Sequence, residues 1–269
     1  MIEDTAEATS RNWEPLEVKS AARVAHIFGG FGWLMVWFGL LTLGFVAHQL
    51  WVTTWFAEQG QGALSEERID YFATAEVETV VVTQQATVLP DGTLITGGED
   101  APPSGTFDPA EALPLQVELS PELHQSFALI RIPKIERLQE GWNVVQGVTR
   151  RDLKTGAGHM PHTPLPGQPG NSVISGHRTT YGAPFHELDE LVLGDTIEVE
   201  TALGTHVYQV RETFIVKPKD VWVVDAMPGS WLTLTTCHPK FSARRRLIVR
   251  AELIDGPNHD VIQQIGSRL

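Results

Sequence analysis

The chain has 269 residues, a formal net charge of -13 and one cysteine. Because nucleic acid is bound mainly through its phosphates, the acidic balance argues against a nucleic-acid-binding protein. A single cysteine excludes a disulfide framework within the chain. The length is that of one folded domain of ordinary size with additional segments around it.

The first element is a long apolar stretch near the N-terminus. No Asp, Glu, Lys or Arg occurs in residues 24–57, and Ile27–Ala47 is almost entirely apolar. A helix over Ile27–Ala47 would extend about 31 Å at 1.5 Å per residue, which is enough to cross a hydrocarbon core of about 30 Å. The sequence therefore predicts one N-terminal transmembrane helix, within an anchor at 24–57.

The basic residues on either side of this stretch predict its orientation. Arg11, Lys19 and Arg23 precede it, whereas only Arg68 follows it closely. Because basic flanks stay on the cytoplasmic side of a membrane, residues 1–23 are predicted to be a cytoplasmic tail. We therefore expect a single-pass protein of the cell membrane, with everything after the anchor outside the cell.

Residues 58–125 are predicted to be an acidic linker outside the cell. They contain 13 Asp or Glu and a single Arg, and self-repelling segments rich in Pro and Gly are extended and flexible. Alternating apolar residues in ETVVVTQQATVL predict a strand, or a hairpin with a turn at Pro90–Gly92. Packing of residues 76–89 on the folded domain is an alternative that the sequence leaves open.

Residues 126–256 are predicted to be the folded domain, followed by a C-terminal tail at 257–269. Short alternating or β-branched segments separated by Gly and Pro are typical of antiparallel barrels and sandwiches. Helical patterns are limited to TRRDLK and PFHELDEL. The seven predicted strands are FALIRIP, NVVQGV, NSVISGH, DTIEVET, THVYQVRETFIV, WLTLTTC and RLIVRAEL.

Cys237 ends the predicted strand WLTLTTC. Successive side chains of a strand alternate between its two faces, so Leu232 and Leu234 lie on the core face and Cys237 on the polar one. A thiol in this position is a better candidate for a nucleophile than for a buried filler.

Two further strand ends carry groups that suit a reactive thiol. Arg246 begins RLIVRAEL and would lie near Cys237 if the last two strands pair, while His177 ends VISGH. A free thiol is only a few per cent thiolate at neutral pH, and a nearby imidazolium or guanidinium raises that fraction. Imidazole can also protonate a leaving amine, and guanidinium can stabilise an oxyanion. The pattern predicts a reactive site at the rim of a barrel.

Together these motifs closely resemble the sortase family. The resemblance rests on ISGHR, on TLTTC and on the Arg that opens RLIVRAEL nine residues after the cysteine, and it covers Ser126–Leu253 in addition to the anchor and linker. The stretches GHMPHTPLPGQPGNSVISGHRTTYGAPFHELDEL and TLTTCHPKFSARRRLIVRAEL are most similar to class E, the housekeeping type of many high-GC Gram-positive bacteria. The resemblance implies a mainly β fold: a closed eight-stranded antiparallel sortase-type barrel with short helices, preceded by the transmembrane helix.

The resemblance also implies cysteine transpeptidation at the cell surface. Cys237 would attack the Thr–Gly bond of a C-terminal sorting signal to form a thioacyl enzyme, and His177 would protonate the leaving group and then help to activate the incoming amine. Arg246 would bind the backbone of the signal and the oxyanion, and Thr236 would help to bind the substrate by lending hydroxyl or backbone support. Tyr181 is linked with a preference for Leu-Ala-x-Thr-Gly over Leu-Pro-x-Thr-Gly signals.

The implied partners are surface proteins that bear a sorting signal and the cell-wall peptide precursor, which supplies the acceptor amine. No cofactor and no metal are expected, because no nucleotide, flavin, phosphate or calcium pattern is recognisable. Three other functions remain open: a hydrolytic cysteine peptidase, a pilin-polymerising sortase with a Lys acceptor, and a non-enzymatic module with an inert thiol. His238 departs from the class E pattern, in which Asn commonly follows the nucleophile.

A zinc site is a further alternative, because His and Cys are typical zinc ligands. It is disfavoured by the lack of C-x-x-C or H-E-x-x-H spacing. The residues that would form it are His159, His162, His177, His186, His238 and Cys237.

Overall fold

The structure is a computed structural model, and the chain divides into two compact units. The units are Met1–His48 and Gln49–Leu269. The described residues are 19–82, 87–88, 94–95 and 113–268.

The region of the predicted anchor is helical. Helix α1 spans Lys19–Ala47, a π-helical turn follows at His48–Val52, and helix α2 spans Thr53–Thr74. Most large apolar side chains between residues 31 and 47 are exposed. Among the described residues, no helix has both the length and the apolar character that crossing a membrane requires. The structure thus does not show the transmembrane helix predicted within 24–57.

Twelve strands lie in the described part of the second unit. They are β1 (Val77–Val82), β2 (Thr87–Val88), β3 (Leu94–Ile95), β4 (Leu113–Glu118), β5 (Ser126–Arg131), β6 (Trp142–Gln146), β7 (Ala157–His159), β8 (Gly170–Ser175), β9 (Thr196–Thr201), β10 (Gly204–Val216), β11 (Ser230–His238) and β12 (Arg245–Asp255). Two short helices complete the unit, α3 (Asp152–Thr155) and α4 (His259–Arg268).

Strands β5 to β12 close into one barrel in the order β5-β6-β7-β8-β11-β12-β10-β9. The prediction of a mainly β, closed eight-stranded barrel is confirmed, whereas the prediction that the barrel is antiparallel is wrong. Strand β7 lies parallel to β6, and β11 lies parallel to β8. Parallel neighbours require a crossover connection. Helix α3 lies in the first connection, and strands β9 and β10 lie in the second.

All seven predicted strands are present, and the barrel contains one more. Strand β7 has only three residues, of which Ala157 and Gly158 are small, so it shows no apolar alternation. The helical pattern in TRRDLK corresponds to α3, and PFHELDEL contains a 3-10 turn at Leu188–Glu190.

Apolar side chains fill the barrel and fix the strands that end at the predicted site. Strand β9 alternates between buried and partly exposed positions, whereas β8 is buried along most of its length. The fully buried residues include Phe127, Ile130, Ile174, Tyr208, Leu232 and Leu234. Since β8 and β11 contribute to this core, their ends have little freedom to shift.

Part of the predicted flexible linker is a helix that packs on the barrel. Residues 58–74 belong to α2, and they contact Asn143 of β6, which is 2% exposed. Its Nδ2 donates to the Gln61 carbonyl (3.1 Å) and to Ser65 Oγ (3.0 Å), and its Oδ1 accepts from Arg68 Nε (2.9 Å). Because these polar groups satisfy each other away from water, this part of the acidic segment is not a free spacer.

A second contact attaches the following strands. Strand β1 pairs antiparallel with β4, and Leu115 of β4 is fully buried. The Tyr71 hydroxyl of α2 donates to Glu118 Oε1 of β4 (2.7 Å). Burial raises the pKa of Glu118. Strand β1 is thus attached through β4, but most of its own side chains are exposed, so the packing of residues 76–89 on the folded domain stays a prediction.

Regular structure is also present elsewhere in the predicted linker and in the predicted tail. Strand β2 pairs with β3, as the predicted hairpin requires, although its turn at Pro90–Gly92 lies outside the described residues. The predicted tail contains α4, whose Ile262 is buried in the core.

Asn143→Ala should lower the free energy of unfolding by about 2–4 kcal/mol, because each buried polar group left without a partner costs about 1–3 kcal/mol. Urea denaturation of the full chain, followed by tryptophan fluorescence, measures the change. Gln139→Ala is a matched control, because this exposed amide also bonds a backbone carbonyl, that of Pro133 (3.1 Å). The control should stay within about 0.5 kcal/mol of the unsubstituted protein. An equally small effect of Asn143→Ala would contradict the anchoring of α2 by this network.

Candidate active site

Cys237 and Arg246 lie opposite each other on neighbouring strands. They are register partners in the antiparallel ladder of β11 and β12. Residues opposite each other in such a ladder point to the same face, with Cβ atoms about 5 Å apart. Both side chains are half-buried. The pairing predicted between a thiol at the end of one strand and an Arg at the start of the next is therefore present.

Strand β8 brings His177 to the other side of the thiol. Strands β8 and β11 are parallel with Ser175 opposite Thr235, and the Gly176 N–H donates to the Thr235 carbonyl (3.1 Å). His177 and Cys237 each follow this last pair by two residues, so the imidazole and the thiol lie at the same end of the two strands.

The Thr236 side chain joins these two strand ends. Its hydroxyl donates to the Gly176 carbonyl (2.7 Å), and the residue is 3% exposed. Thr236 therefore holds β11 beside the residue that precedes His177, and its hydroxyl is used within the protein. The substrate-binding role expected for Thr236 stays a prediction.

The His177 imidazole is half-buried and lies against an aromatic ring. Its centroid is 5.0 Å from that of Tyr181, and its Nε2 is buried with no hydrogen-bond partner among the described residues. Burial disfavours the charged form and lowers the pKa of His177. A neutral imidazole can accept the proton of a thiol and return it to a leaving amine.

The Arg246 guanidinium has donors left for a substrate. Its Nη1 donates to the carbonyls of Ala243 and Arg245, both at 3.0 Å. Among the described residues, its other N–H groups have no partner. Donors fixed in this way can bind a carbonyl oxygen more strongly as it becomes an oxyanion.

Tyr181 lies in a constrained turn. Its ring lies near both His177 and Lys154, whose Nζ is 5.6 Å from the ring centroid. Its backbone is left-handed (φ +53°), as is that of Gly182 (φ +76°). A Cβ on Gly182 would lie 2.7 Å from Cζ2 of Trp142, so the turn tolerates no side chain there. The link between Tyr181 and signal preference stays a prediction.

Sequence reasoning missed Arg178, which follows His177 in the SGHR motif. Its side chain is 2% exposed and its Nη1 donates to the carbonyl of Cys237 (3.3 Å). An Arg is rarely this buried unless it is paired. Its position next to His177 was the only available indication, because the contacts depend on the tertiary fold.

The zinc alternative finds no support in the geometry. Within the described ranges, no three His, Cys, Asp or Glu side chains form a group that could hold a metal ion. The ring nitrogens of His159 contact Gln146 Oε1 (2.7 Å) and the Pro164 carbonyl (3.0 Å). His186 Nδ1 donates to the Arg178 carbonyl (2.7 Å). These two imidazoles thus have partners inside the protein.

Comparison with known proteins places this site within one family. A family model described as sortase domain matches residues 130–254. Sortase SrtE1 of Streptomyces coelicolor is 28% identical over 241 residues, which make up 83% of this chain and 56% of that protein. Sortase D of Bacillus subtilis is 31% identical over 137 residues, 51% of this chain and 66% of that protein. The solved structure of sortase E from Streptomyces avermitilis is 33% identical and covers 51% of this chain and 93% of that one, with a TM-score of 0.47.

The chain spans between about half and two thirds of the length of these two curated relatives. The region matched by the family model contains His177, Cys237 and Arg246. On the family model and these sequence matches, the chain belongs to the sortase family, and its barrel is of the sortase type.

Proposed function

We propose that the protein is a cysteine transpeptidase that cleaves a C-terminal sorting signal between Thr and Gly. It transfers the acyl group to a cell-wall amine through a thioacyl enzyme. The observation that carries this proposal is the row of His177, Cys237 and Arg246 at adjacent ends of β8, β11 and β12. Acyl transfer needs a base, a nucleophile and an oxyanion-binding group, which these three residues supply.

In the first half-reaction, Cys237 gives its proton to His177 and its sulfur attacks the carbonyl carbon of the signal's Thr. The oxyanion that forms is stabilised by N–H donors of Arg246. The C–N bond then breaks, and His177 returns the proton to the nitrogen of the leaving glycine. The acyl group remains on the sulfur as a thioester.

In the second half-reaction, an amine attacks the thioester carbonyl while His177 accepts its proton. Collapse of the tetrahedral intermediate forms the new amide bond and releases the Cys237 sulfur, which takes the proton back. Water in place of the amine would give hydrolysis through the same intermediate. The identity of the acceptor therefore decides between a transpeptidase and a hydrolytic peptidase.

The proposed substrates are surface proteins with a Leu-Ala-x-Thr-Gly or Leu-Pro-x-Thr-Gly signal, and the proposed acceptor is the cell-wall peptide precursor. The support for a Leu-Ala preference is the resemblance of HRTTY to class E and the packing of the Tyr181 ring against His177. Polymerisation of pilins is the alternative use of the same chemistry and would require a Lys acceptor.

The proposed location is the outer side of the cell membrane, with the N-terminus in the cytoplasm. This part of the proposal rests on sequence: residues 24–57 carry no Asp, Glu, Lys or Arg, and basic residues are concentrated before them. Protease added to intact protoplasts should degrade the barrel while leaving a short N-terminal fragment in the membrane fraction. A barrel protected until the protoplasts are lysed would contradict this location.

The full chain, incubated with a Leu-Ala-x-Thr-Gly peptide and a small amine, should give a thioacyl adduct and an amide product by mass spectrometry. Cys237→Ala should abolish both, because no other cysteine is present to form a thioester. Cleavage without amide product over a range of amines would identify a hydrolase. Unchanged cleavage by Cys237→Ala would exclude the thioacyl mechanism.

The same assay separates Arg246 from its neighbour. Arg246→Gln should lower kcat/KM by about 100- to 1,000-fold, as expected when an oxyanion donor is removed. Arg245→Gln is the matched control, because Arg245 is an exposed guanidinium one residue earlier and therefore on the opposite face of β12. It should change kcat/KM by less than about threefold. Equal losses in the two variants would contradict the assignment of Arg246.

The pKa of His177 should lie below the usual 6.5, because burial disfavours the imidazolium. NMR titration of the histidine-labelled full chain, with the resonance assigned through His177→Gln, measures it. Thioacyl formation should decline only as the pH falls through this lowered pKa, since the neutral imidazole is the base. Tyr181→Ala should raise the pKa towards 6.5 by admitting water, and Tyr181→Phe should leave it unchanged. A His177 pKa above 6.5 in the unsubstituted protein is the contrary outcome.

A further inference from the structure

The Arg178 guanidinium touches three separate parts of the site region. Besides the Cys237 carbonyl (Nη1, 3.3 Å), it donates from Nε to the His186 carbonyl (3.1 Å). Its Nη2 forms an ion pair with Asp189 Oδ2 (2.7 Å). One buried side chain thus connects the end of β11 with two points of the segment that follows His177.

The same segment is closed around Arg178 by reciprocal contacts. His186 Nδ1 donates to the Arg178 carbonyl (2.7 Å), and the Phe185 N–H donates to the His177 carbonyl (3.1 Å). The carboxylate of Asp189 also lies 4.0 Å from Nζ of Lys240, in the loop after β11. The segment that carries the imidazole and the chain beyond the nucleophile are therefore held by one set of polar contacts.

The geometry of guanidinium explains why this position requires Arg. The group is planar and always charged, and its five N–H donors diverge at fixed angles. It can bond two carbonyls and a carboxylate at once from three separate nitrogens, whereas the three N–H donors of an ammonium share one nitrogen on a flexible stem. The 2% exposure of the side chain adds a constraint, because a charge buried this far costs several kcal/mol unless its partners remain in place.

We propose that Arg178 is a positioning residue, which fixes the Cys237 end of β11 against the segment that carries His177. This proposal rests on the proposed function of the site. Arg178 acts through its neighbours: its bond to the Cys237 carbonyl sets where the nucleophile's backbone lies, and its bonds to His186 and Asp189 set the path of the chain after the imidazole. Sulfur and imidazole are thereby held at the separation that proton transfer needs, and a displacement near 1 Å can cost about 100-fold in rate.

A contact with His238 fits this role. Nη1 of Arg178 lies 3.4 Å from Nδ1 of His238. Because guanidinium only donates, Nδ1 can only accept in this contact. Asn offers an equivalent acceptor through its side-chain oxygen. The residue after the nucleophile thus serves the buried guanidinium as an acceptor, which either side chain can provide.

The test uses the full chain and compares Arg178→Gln, Arg178→Lys and Asp189→Asn. We expect kcat for peptide cleavage to fall about 10- to 100-fold in both Arg178 variants, with KM changed by less than about threefold, because alignment is lost while the signal is still bound. Asp189 is 43% exposed, so Asp189→Asn should fold normally and lower kcat by about 3- to 10-fold. Full activity in Arg178→Lys would overturn the proposal, since a positive charge alone would then suffice.

Arg250→Gln is the matched control for loss of a buried guanidinium. Arg250 is 8% exposed, is paired with Glu212 (3.0 Å) and donates to the Val223 carbonyl (3.3 Å), but it contacts neither the His177 segment nor the end of β11. We expect a comparable drop in Tm with kcat within about threefold of the unsubstituted protein. Equal losses of kcat in Arg250→Gln and Arg178→Gln would mean that Arg178 only stabilises the fold, which would overturn the positioning role. If Arg178→Gln does not fold, unchanged kcat in Asp189→Asn overturns the proposal.

Hydrogen exchange supplies a readout that does not depend on activity. The Phe185 amide, which bonds the His177 carbonyl, should exchange at least about tenfold faster in Arg178→Gln and at an unchanged rate in Arg250→Gln. If the unsubstituted protein forms no thioacyl adduct, the proposed function is refuted. The exchange rate at Phe185 then still decides whether Arg178 has the positioning role. Unchanged exchange at Phe185 in a folded Arg178→Gln would refute the positioning role itself.

Discussion

The site depends on the register of β11 with its two neighbours. Strand β11 pairs with β8 on one side and with β12 on the other, and a slip of one residue in either ladder would turn Cys237 to the opposite face. The slip is opposed by the core, because it would expose Leu232 and Leu234, each worth about 1.5–3 kcal/mol when buried. It would also break the bond from the Thr233 hydroxyl to Asn171 Oδ1 (2.6 Å), which is buried. The same packing that stabilises the barrel therefore fixes the position of Cys237.

Local patterns were sufficient to predict the strands but not how they pair. Alternation and turn residues identified seven of the eight barrel strands, and a hairpin between the last two correctly brought Arg246 near Cys237. The parallel pairing of β8 with β11 joins segments separated by two other strands, so no local pattern encodes it. Residues 58–74 of α2 were predicted to be part of a flexible linker because their acidic composition resembles that of a spacer. The docking of this helix depends on polar groups such as Gln61 and Ser65, which complement Asn143 only in the folded protein.

The sequence predicted those residues of the site that lie in short contiguous motifs. His177, Cys237 and Arg246 lie in three short stretches, and the fold brings those stretches to adjacent strand ends. The contacts of Arg178 could not be read in this way, because His186 and Asp189 lie 8 and 11 residues further along in an irregular segment and Cys237 lies 59 residues away. Thr236 illustrates the same limit. Its hydroxyl donates to the carbonyl of Gly176, the residue that follows β8, and no spacing in the sequence reveals this contact.

The docking of α2 on the barrel determines where a recombinant version of this protein should begin. A recombinant piece that starts at the first barrel strand would lack the edge-to-face contact between Tyr71 and Phe127, whose centroids are 6.4 Å apart. It would also leave the Asn143 side chain of β6 without the partners that α2 supplies. Such a truncated product is expected to be less stable, so a recombinant version of the protein should include α2 from Thr53 onward.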